Sequence, residues 1–396
     1  MLFSLSLLFL VGLAAASICK TIRLPRIIGM LVTGIALGPY VLNVLDPSLL
    51  GISSELRSMA LIIILIKAGL ALDISDLKAV GRPAILMSFL PATMEILGFV
   101  LVGPAVLGVS RIEAAIMGAV LGAVSPAVVV PKMVQLMEEK LGTGKRVPQM
   151  ILAGASLDDV FVIVLFTTFC GIAQGESVSL MTLASVPVSI ALGIAGGLIA
   201  GVLMYRFFET CHEHRRTIRN SVKVILLLGV SLLMYSAEEA LPVPFSGLLA
   251  VMAMACALQM KSVPVVSKRL SAKYGKLWIA AEVMLFVLVG AAVDIRYTME
   301  AGAAAVLMIF IALMFRSVGT WLCLLGTALN KKERLFCVIA YLPKATVQAA
   351  IGSVPLSMGL PCGRLVLSIA VLSILITAPI GALGMDATCE KLLERE

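Results

Sequence analysis

The stretch "GAVLGAVSPAVVVPKM", residues 118–133, is apolar enough for a membrane helix yet holds two prolines, Pro126 and Pro131. A proline cannot donate a hydrogen bond to the carbonyl four residues earlier, and its ring clashes with that carbonyl. Pro126 therefore frees the Gly122 carbonyl and loosens the residues after it. Unpaired backbone groups at membrane depth survive only where they face protein or line a cavity. The stretch predicts a membrane helix that is interrupted in its middle, although a simple proline kink would explain one such span taken alone.

Composition places the whole chain in a membrane. Of its 396 residues, 60% are hydrophobic and only 14% are charged, and its mean hydropathy is +1.08. A soluble domain has about half of its residues apolar and about a quarter charged. The polar stretches are short loops, so we expect one integral membrane domain over residues 1–396, with no soluble regulatory domain and no cofactor.

Thirteen apolar runs are each long enough, at about 20 residues, to cross the hydrocarbon core of a bilayer. Lipid offers no partner for backbone N–H and C=O groups, so membrane spans are helices or closed barrels. The runs are continuous rather than alternating, which excludes a barrel. The prediction is an all-α polytopic protein with about 13 transmembrane helices. They cover residues 2–19, 27–45, 55–72, 83–104, 112–136, 147–173, 180–205, 220–237, 245–260, 277–293, 301–325, 335–355 and 362–385.

Orientation follows from the positive charges in the loops. Most of the 31 lysines and arginines lie in loops after odd-numbered spans or in the C-terminal tail, whereas the loops after even-numbered spans hold Arg57, Arg111, Arg296 and Arg364. Because Lys and Arg concentrate in cytoplasmic loops, we expect the N-terminus outside and the C-terminus in the cytoplasm, in a multi-pass protein of a bacterial plasma membrane. The net charge of +8 then reflects topology rather than nucleic-acid binding.

A second interrupted span lies in the other half of the chain, in "AYLPKATVQAAIGSVPLSMG", residues 340–359. Glu95 precedes Pro126 by 31 residues, and Arg316 lies within about one helical turn of the same offset before Pro343. The spans that hold these two charges start on opposite sides of the membrane in the predicted topology. The pattern indicates inverted repeats with two broken helices, and such folds bind substrate where the discontinuous helices meet near the midplane.

Two carboxylates, Asp158 and Asp159, lie side by side in "AGASLDDVFVIVLF", residues 153–166, within a span that has no other charge. On insertion scales each aspartate at a helix centre costs about 2.5–3.5 kcal/mol, so the pair costs roughly 5–7 kcal/mol. A cost of that size argues against an accidental pair. Adjacent residues on a helix point about 100° apart, so the two carboxylates border a cavity rather than aim at one point.

Paired acids of this kind suggest a site for protons and a cation. Two neighbouring carboxylates at low dielectric cannot both ionise freely, whereas a dehydrated cation can replace their protons. A site that holds either protons or a cation, but not both, is the minimum that an antiporter needs. The expected ligands are all oxygens, which suits Na⁺ or Li⁺. They come from Asp158, Asp159, the Ser125 hydroxyl and the backbone carbonyls of Gly122, Ala123 and Val124.

Three other intramembrane charges need partners. Glu95 and Arg316 have opposite sign and occupy pseudo-equivalent positions, so in one interpretation they form a structural ion pair, and in another each neutralises a helix dipole separately. Lys344 follows the second break and would offset the exposed carbonyl end of a half-helix. The residues assigned to the breaks and their dipoles are Pro126, Pro131, Pro343, Lys344 and Thr346.

These motifs together resemble a known family. "GAVSPAVVVPKM", "GASLDDVFVIVLF" and "YLPKATVQAAIGSVPL" are similar to segments of the monovalent cation/proton antiporter superfamily, and within it to the sodium/hydrogen exchanger domain-containing (NHA) branch. The resemblance begins near Leu24, in "LPRIIGMLVTGIALGP", and runs to the last span, so it covers almost the whole chain.

The resemblance implies a sodium/proton antiporter fold with two crossing broken helices and elevator-like alternating access. It implies a core transport bundle around residues 83–173 and 301–385, with the remaining helices forming a dimerisation scaffold, and therefore a homodimer. The ion-binding aspartates of the family fall on Asp158 and Asp159, and its Glu–Arg pair falls on Glu95 and Arg316. Many relatives carry an aspartate where this chain has Ser125, so helix dipoles at the first break need other partners.

The expected function is therefore secondary active antiport of Na⁺ or Li⁺ against protons across a lipid bilayer, with a role in pH homeostasis and no enzymatic activity. Antiport of K⁺ against protons, or K⁺ efflux, is one alternative, and sodium-coupled symport of an organic solute is another. An intramembrane aspartyl protease would place its two acids on different helices that face each other across the substrate. Adjacent acids on one helix argue against that enzyme.

Overall fold

The computed structural model describes all residues except 23, 72–79, 176–179, 214–217, 241–242, 244 and 396. Over the described residues the chain folds into helices joined by turns, with one isolated bridge between Leu141 and Arg395. The helices are α1 (Leu2–Thr21), α2 (Arg26–Leu37), α3 (Pro47–Gly51), α4 (Ser53–Ala71), α5 (Arg82–Met87), α6 (Leu90–Leu107), α7 (Arg111–Leu121), α8 (Pro126–Glu138), α9 (Val147–Ala173), α10 (Leu180–Glu213), α11 (Asn220–Ala240), α12 (Gly247–Lys261), α13 (Pro264–Ala291), α14 (Ile295–Cys323), α15 (Lys331–Ala340), α16 (Thr346–Ile351), α17 (Val354–Ser357) and α18 (Gly363–Leu392).

Over the described residues, each predicted span overlaps one helix or two or three consecutive helices. Eight helical stretches of the described chain are long and apolar enough to cross a membrane, and three shorter apolar helices accompany them. The prediction of an all-α polytopic membrane protein is confirmed. It succeeded because a continuous apolar run in lipid has no alternative to a helix except a closed barrel.

Both predicted interruptions are present. The span 112–136 is divided into α7 and α8, and the span 335–355 is divided into α15, α16 and the first residues of α17. Pro126 is the first residue of α8, a position where the missing N–H of proline is not needed. Pro131 lies inside α8, which continues to Glu138, so the assignment of Pro131 to a break was wrong. A proline beyond the first turn removes one hydrogen bond, and this helix continues past it.

Two other span boundaries differ from the prediction. The span 27–45 ends as a helix at Leu37, because Gly38 is extended ahead of Pro39 and a residue before proline disfavours the helical conformation. The span 83–104 is divided by a turn at Ser88 and Phe89, where Phe89 has a ψ of −35° and a φ of −140° and caps α6 ahead of Pro91. This interruption was not predicted from the sequence.

The chain divides into two units. Unit 1 comprises Met1–Ser54, Asp73–Gly175 and Val283–Glu396, and unit 2 comprises Glu55–Leu72 and Glu176–Glu282. Both parts of the predicted core bundle, 83–173 and 301–385, belong to unit 1, which also includes the first three helices. The assignment of the other helices to a dimerisation scaffold stays a prediction.

Small residues let α6 and α14 approach closely within unit 1. A Cβ added at Gly98 would lie 2.9 Å from the Phe315 ring, and one added at Gly319 would lie 2.9 Å from the Pro91 Cα. Close approach of membrane helices depends on such residues. This contact places Glu95, one turn before Gly98, opposite Arg316, which follows Phe315 in the chain.

Small residues also allow close helix packing within unit 2. Gly193, Gly197 and Gly201 recur at intervals of four on α10, and each would bring an added Cβ against backbone atoms of a neighbouring segment. Their neighbours include the carbonyls of Ser246 and Met254, at the start and in the middle of α12. Stripes of small residues at this spacing are typical of packed membrane helices.

Candidate ion-binding site

The two helix breaks meet inside unit 1. Residues 122–125 lie between α7 and α8 and form the first break, and residues 341–345 lie between α15 and α16 and form the second break. The Ser125 amide donates a hydrogen bond to the Pro343 carbonyl at 2.8 Å. Direct backbone contact between the breaks means that the two broken helices cross at this point.

The carbonyls at the end of α7 are not left unpaired. Each accepts a hydrogen bond from a buried side chain on α14, in the second break or on α16: Lys344 Nζ donates to Leu121, Arg316 Nη1 to Gly122, and Gln348 Nε2 to Ala123. Cations at the carbonyl end of a helix offset the negative end of its dipole. The neutralisation that a serine at position 125 cannot supply therefore comes from the other repeat.

The freed N–H groups also have partners. The Val124 amide donates to Asp158 Oδ2 at 2.9 Å, and the Lys344 amide donates to Thr377 Oγ1 on α18 at 2.9 Å. The Ala345 amide donates to Gln348 Oε1 at 2.8 Å. A buried backbone group without a partner costs about 1–3 kcal/mol, so these side chains make the breaks tolerable at membrane depth.

A network of four charged side chains surrounds the crossing. Arg316 Nη1 lies 2.8 Å from Glu95 Oε2, and Arg316 Nη2 lies 3.0 Å from Asp158 Oδ2. Lys344 Nζ lies 2.6 Å from the same oxygen of Glu95. All four side chains are completely buried. Glu95 and Arg316 are thus in contact, as the ion-pair interpretation requires, and the sequence analysis did not foresee the contacts of Arg316 with Asp158 and of Lys344 with Glu95.

Arg316 is held in place by more than its acidic partners. Its Nε donates to the Tyr341 carbonyl at 2.6 Å, and its guanidinium carbon lies 5.5 Å from the centre of the Tyr341 ring. The Tyr341 hydroxyl points at Gly154 on α9, where an added Cβ would collide with it. This packing brings α9, the helix of the paired acids, against the second break.

Asp159 differs from Asp158 in its surroundings. Its side chain is only 6% exposed, and its Oδ1 is buried without a hydrogen-bond partner. Five more oxygens near the crossing are likewise buried without partners: Asp158 Oδ1, Glu95 Oε1, Ser125 Oγ, Thr346 Oγ1 and the Tyr341 hydroxyl. Each of these residues makes a contact at the crossing or lies within two positions of one that does. All six atoms are hard oxygen donors, the ligands that Na⁺ and Li⁺ prefer.

The charges of the crossing do not balance. Three carboxylates, those of Glu95, Asp158 and Asp159, lie with two cations, Arg316 and Lys344. With every group ionised the site carries one net negative charge. An uncompensated buried charge is strongly unfavourable, so the arrangement can take up one proton or one monovalent cation.

Two of the predicted carbonyl ligands are already engaged. The Gly122 carbonyl accepts from a guanidinium and the Ala123 carbonyl accepts from an amide, so neither presents a free oxygen to a cation in this arrangement. The sequence analysis missed Gln348 and Thr377, which hold the breaks. A polar residue in an apolar span is itself a signal, and Gln348 lies one helical turn after Lys344.

Comparison with known proteins identifies the family of the chain. The family "Sodium/hydrogen exchanger, transmembrane" matches residues 5–391, almost the whole chain. The chain belongs to the sodium/hydrogen exchanger family. Members of this family are transporters rather than enzymes, and this sodium/hydrogen exchanger is accordingly a multi-pass membrane protein that exchanges a cation for protons.

Similar proteins support the assignment. Sodium/hydrogen exchanger 9B2 of Homo sapiens is 33% identical over 413 residues, covering 100% of this chain and 75% of the relative. Sodium/hydrogen exchanger 9B1 of Homo sapiens is 30% identical over 419 residues, covering 100% of this chain and 78% of the relative. The solved structure of the sodium proton antiporter MjNhaP1 from Methanocaldococcus jannaschii at pH 8 has the same fold, with a TM-score of 0.84 over 98% of this chain and 97% of that one, at 21% identity.

Proposed function

We propose that this exchanger is a secondary active antiporter that exchanges Na⁺ or Li⁺ for protons by alternating access, with Asp158 and Asp159 as its exchange site. The observation that carries the proposal is the single unbalanced negative charge of the buried crossing. A proton or a monovalent cation neutralises it, whereas a divalent cation would replace it with a positive charge. Because both use the same carboxylate oxygens, one must leave before the other binds.

Asp159 is the better candidate for the direct ligand. Asp158 Oδ2 already accepts hydrogen bonds from the Val124 amide and from Arg316. This oxygen therefore already stabilises the first break and the guanidinium. We propose that the cation is bound by oxygens of both aspartates together with the hydroxyls of Ser125 and Thr346. Competition for these oxygens predicts that the apparent affinity for Na⁺ falls as the pH is lowered, since protons then occupy them.

We also propose that the exchanger lies in a plasma membrane with its N-terminus outside and its C-terminus in the cytoplasm, and that it acts as a homodimer. The orientation rests on the distribution of Lys and Arg among the loops. The relatives described above are from Homo sapiens and an archaeon, so they lend no support to the expectation of a bacterial membrane.

The test is cation-driven proton release in proteoliposomes that contain the purified exchanger and a pH-sensitive dye. Addition of Na⁺ or Li⁺ is expected to restore the fluorescence that an imposed proton gradient has quenched, and protein-free liposomes give the background. A response to K⁺ that exceeds the responses to Na⁺ and Li⁺ would favour the K⁺/H⁺ alternative. Na⁺-driven uptake of a labelled organic anion, without proton release, would contradict antiport.

A further inference from the structure

Gln348, at the start of α16, contacts both helix breaks. Its Oε1 accepts from the Ala345 amide of the second break at 2.8 Å. Its Nε2 donates to the Ala123 carbonyl of the first break at 2.8 Å and to the Leu121 carbonyl at 3.4 Å. The side chain is completely buried, so water does not replace these partners.

The chemistry of the three partners demands an amide. A backbone N–H can only donate and a carbonyl can only accept, so the side chain between them must offer one acceptor and a donor at its tip. Glutamine offers both and is neutral. The same partners determine which end of the amide faces which break, because the reverse orientation would place oxygen against oxygen and hydrogen against hydrogen.

A short chain of contacts leads from Gln348 to the exchange site. The Ala123 carbonyl belongs to the same peptide unit as the Val124 amide, and that amide donates to Asp158 Oδ2 at 2.9 Å. The first break has no charged side chain of its own. The plane of this peptide is therefore held on one side by Gln348 and on the other by Asp158.

We infer that Gln348 is a positioning residue for cation/proton exchange, whose amide holds the two breaks in register and orients the peptide that binds Asp158. The inference rests on the proposed function of the aspartates. It assigns no contact between Gln348 and the transported ion. Its effect reaches the site through the Ala123–Val124 peptide.

Replacing Gln348 by glutamate tests the requirement for a donor with little change in shape. A protonated carboxyl group can donate to the Ala123 carbonyl and still accept from the Ala345 amide. An ionised carboxylate has no donor and would face the carbonyl oxygens of Leu121 and Ala123. The charged groups around it are Lys344 beside it, which shares the Leu121 carbonyl, and Glu95, Asp158 and Arg316 on three other helices. An ionised carboxylate would also draw Lys344 away from Glu95.

The experiment compares wild type, Gln348→Glu and Gln135→Glu in proteoliposomes, with whichever of Na⁺, Li⁺ or K⁺ drives proton release by the wild type. Gln135 lies on α8, is exposed and is absent from the crossing, so Gln135→Glu controls for an added carboxylate. We expect kcat/KM of Gln348→Glu relative to wild type to fall by about tenfold from about pH 6 to about pH 9, a range that spans ionisation of a buried carboxyl. Gln135→Glu is expected to stay within about twofold of wild type throughout, as surface substitutions usually do.

If kcat/KM of Gln348→Glu relative to wild type stays constant over this pH range, the inference is overturned.

Gln348→Met provides a second test, because methionine has a similar length but no hydrogen-bonding groups. A rise in KM that is independent of pH supports the positioning role, and an unchanged KM refutes it. This variant carries the test alone where Gln348→Glu does not fold. Absence of proton release by the wild type with all three cations would instead refute the proposed function, and the two failures are therefore distinguishable.

Discussion

The two helix breaks both interrupt a membrane helix, but they differ in the side chains that they contain. The first break, residues 122–125, contains small and apolar residues and one hydroxyl. The second break is built around Lys344 and is followed at once by Thr346 and Gln348. The side chains that donate to the Leu121, Gly122 and Ala123 carbonyls come from the second half of the chain. The first half gives the second break one backbone hydrogen bond, from Ser125.

The difference shows that an inverted repeat need not be symmetric in its chemistry. Both α7 and α15 present the negative ends of their dipoles to the crossing, and Arg316 donates to a carbonyl of each, at Gly122 and at Tyr341. One cation thus serves two helix ends. Substitutions in the second half are consequently expected to disturb both breaks, whereas substitutions in the first half disturb mainly one.

The largest effect is expected at the paired acids, where Asp158 binds the first break and Asp159 does not. Asp159→Asn is expected to reduce cation-driven proton release to the background of protein-free liposomes while leaving the protein folded, because it removes the unbalanced charge. Asp158→Asn is expected to retain some exchange but to melt at a lower temperature, because Arg316 loses a buried partner. Robust exchange by Asp159→Asn, or an apparent Na⁺ affinity that is flat from acid to alkaline pH, would contradict the proposed site.

The second effect concerns the charged network that links the breaks. Glu95→Gln leaves two buried cations with one fewer partner, and breaking a buried pair costs about 3–5 kcal/mol, so its melting temperature in detergent is expected to fall markedly. Addition of Lys344→Gln is expected to recover more stability than addition of Arg316→Gln, because Arg316 also holds Asp158. Equal recovery by both second substitutions would show that the contact between Arg316 and Asp158 contributes little.

A smaller effect tests the support behind the second break. An added Cβ at Gly381 on α18 would collide with the Pro343 ring, so Gly381→Ala is expected to destabilise the protein by about 1–3 kcal/mol through overpacking. Gly229→Ala is a matched control on α11, because nothing lies within 4 Å of a Cβ added there. Alanine in that open helical position is expected to stabilise by about 0.5–1 kcal/mol. Thermal melts of the two variants in detergent would reveal whether the shifts have opposite sign.

The smallest effect concerns the outer ends of the broken helices. Lys145, in the loop after α8, lies 3.0 Å from Glu333 on α15 and 3.2 Å from Glu394. Its hydrogen bond to the Glu333 carboxylate raises the pKa of Lys145 above its ordinary value. A raised pKa adds stability that is complete below the pKa of the unfolded chain, about 10.4, and disappears as the pH rises through the higher pKa of the folded state.

Lys145→Gln is therefore expected to lower the melting temperature slightly near neutral pH, and the difference from wild type is expected to shrink at strongly alkaline pH. The exposed Lys332, on the same helix as Glu333, provides the control Lys332→Gln. A difference between Lys145→Gln and wild type that persists unchanged above the lysine titration would show that packing, rather than charge, accounts for it.

The sequence predicted much of this arrangement, and each success has a physical reason. Pro126 and Pro343 predicted interrupted helices because unpaired backbone in lipid must meet other protein, although Pro131 and Pro379 lie inside helices that continue past them. The adjacent aspartates Asp158 and Asp159 lie buried near the crossing, and their role as the exchange site stays a proposal. The predicted end of the second span was wrong: α2 ends at Leu37 because the glycine before proline leaves the helix, a local effect that hydropathy does not register.

By itself, the sequence determined that the chain spans a membrane many times, that two helices are broken, and that charged residues of both signs lie within apolar spans, because each of these properties depends on composition and local backbone chemistry. Which charge pairs with which was decided by tertiary structure alone. Three acids and two bases can combine in several ways, and spacing along the chain does not rank them. Only the close packing of α6 on α14 and the contact between the breaks bring Arg316 between Glu95 and Asp158 and leave Asp159 outside the pairs.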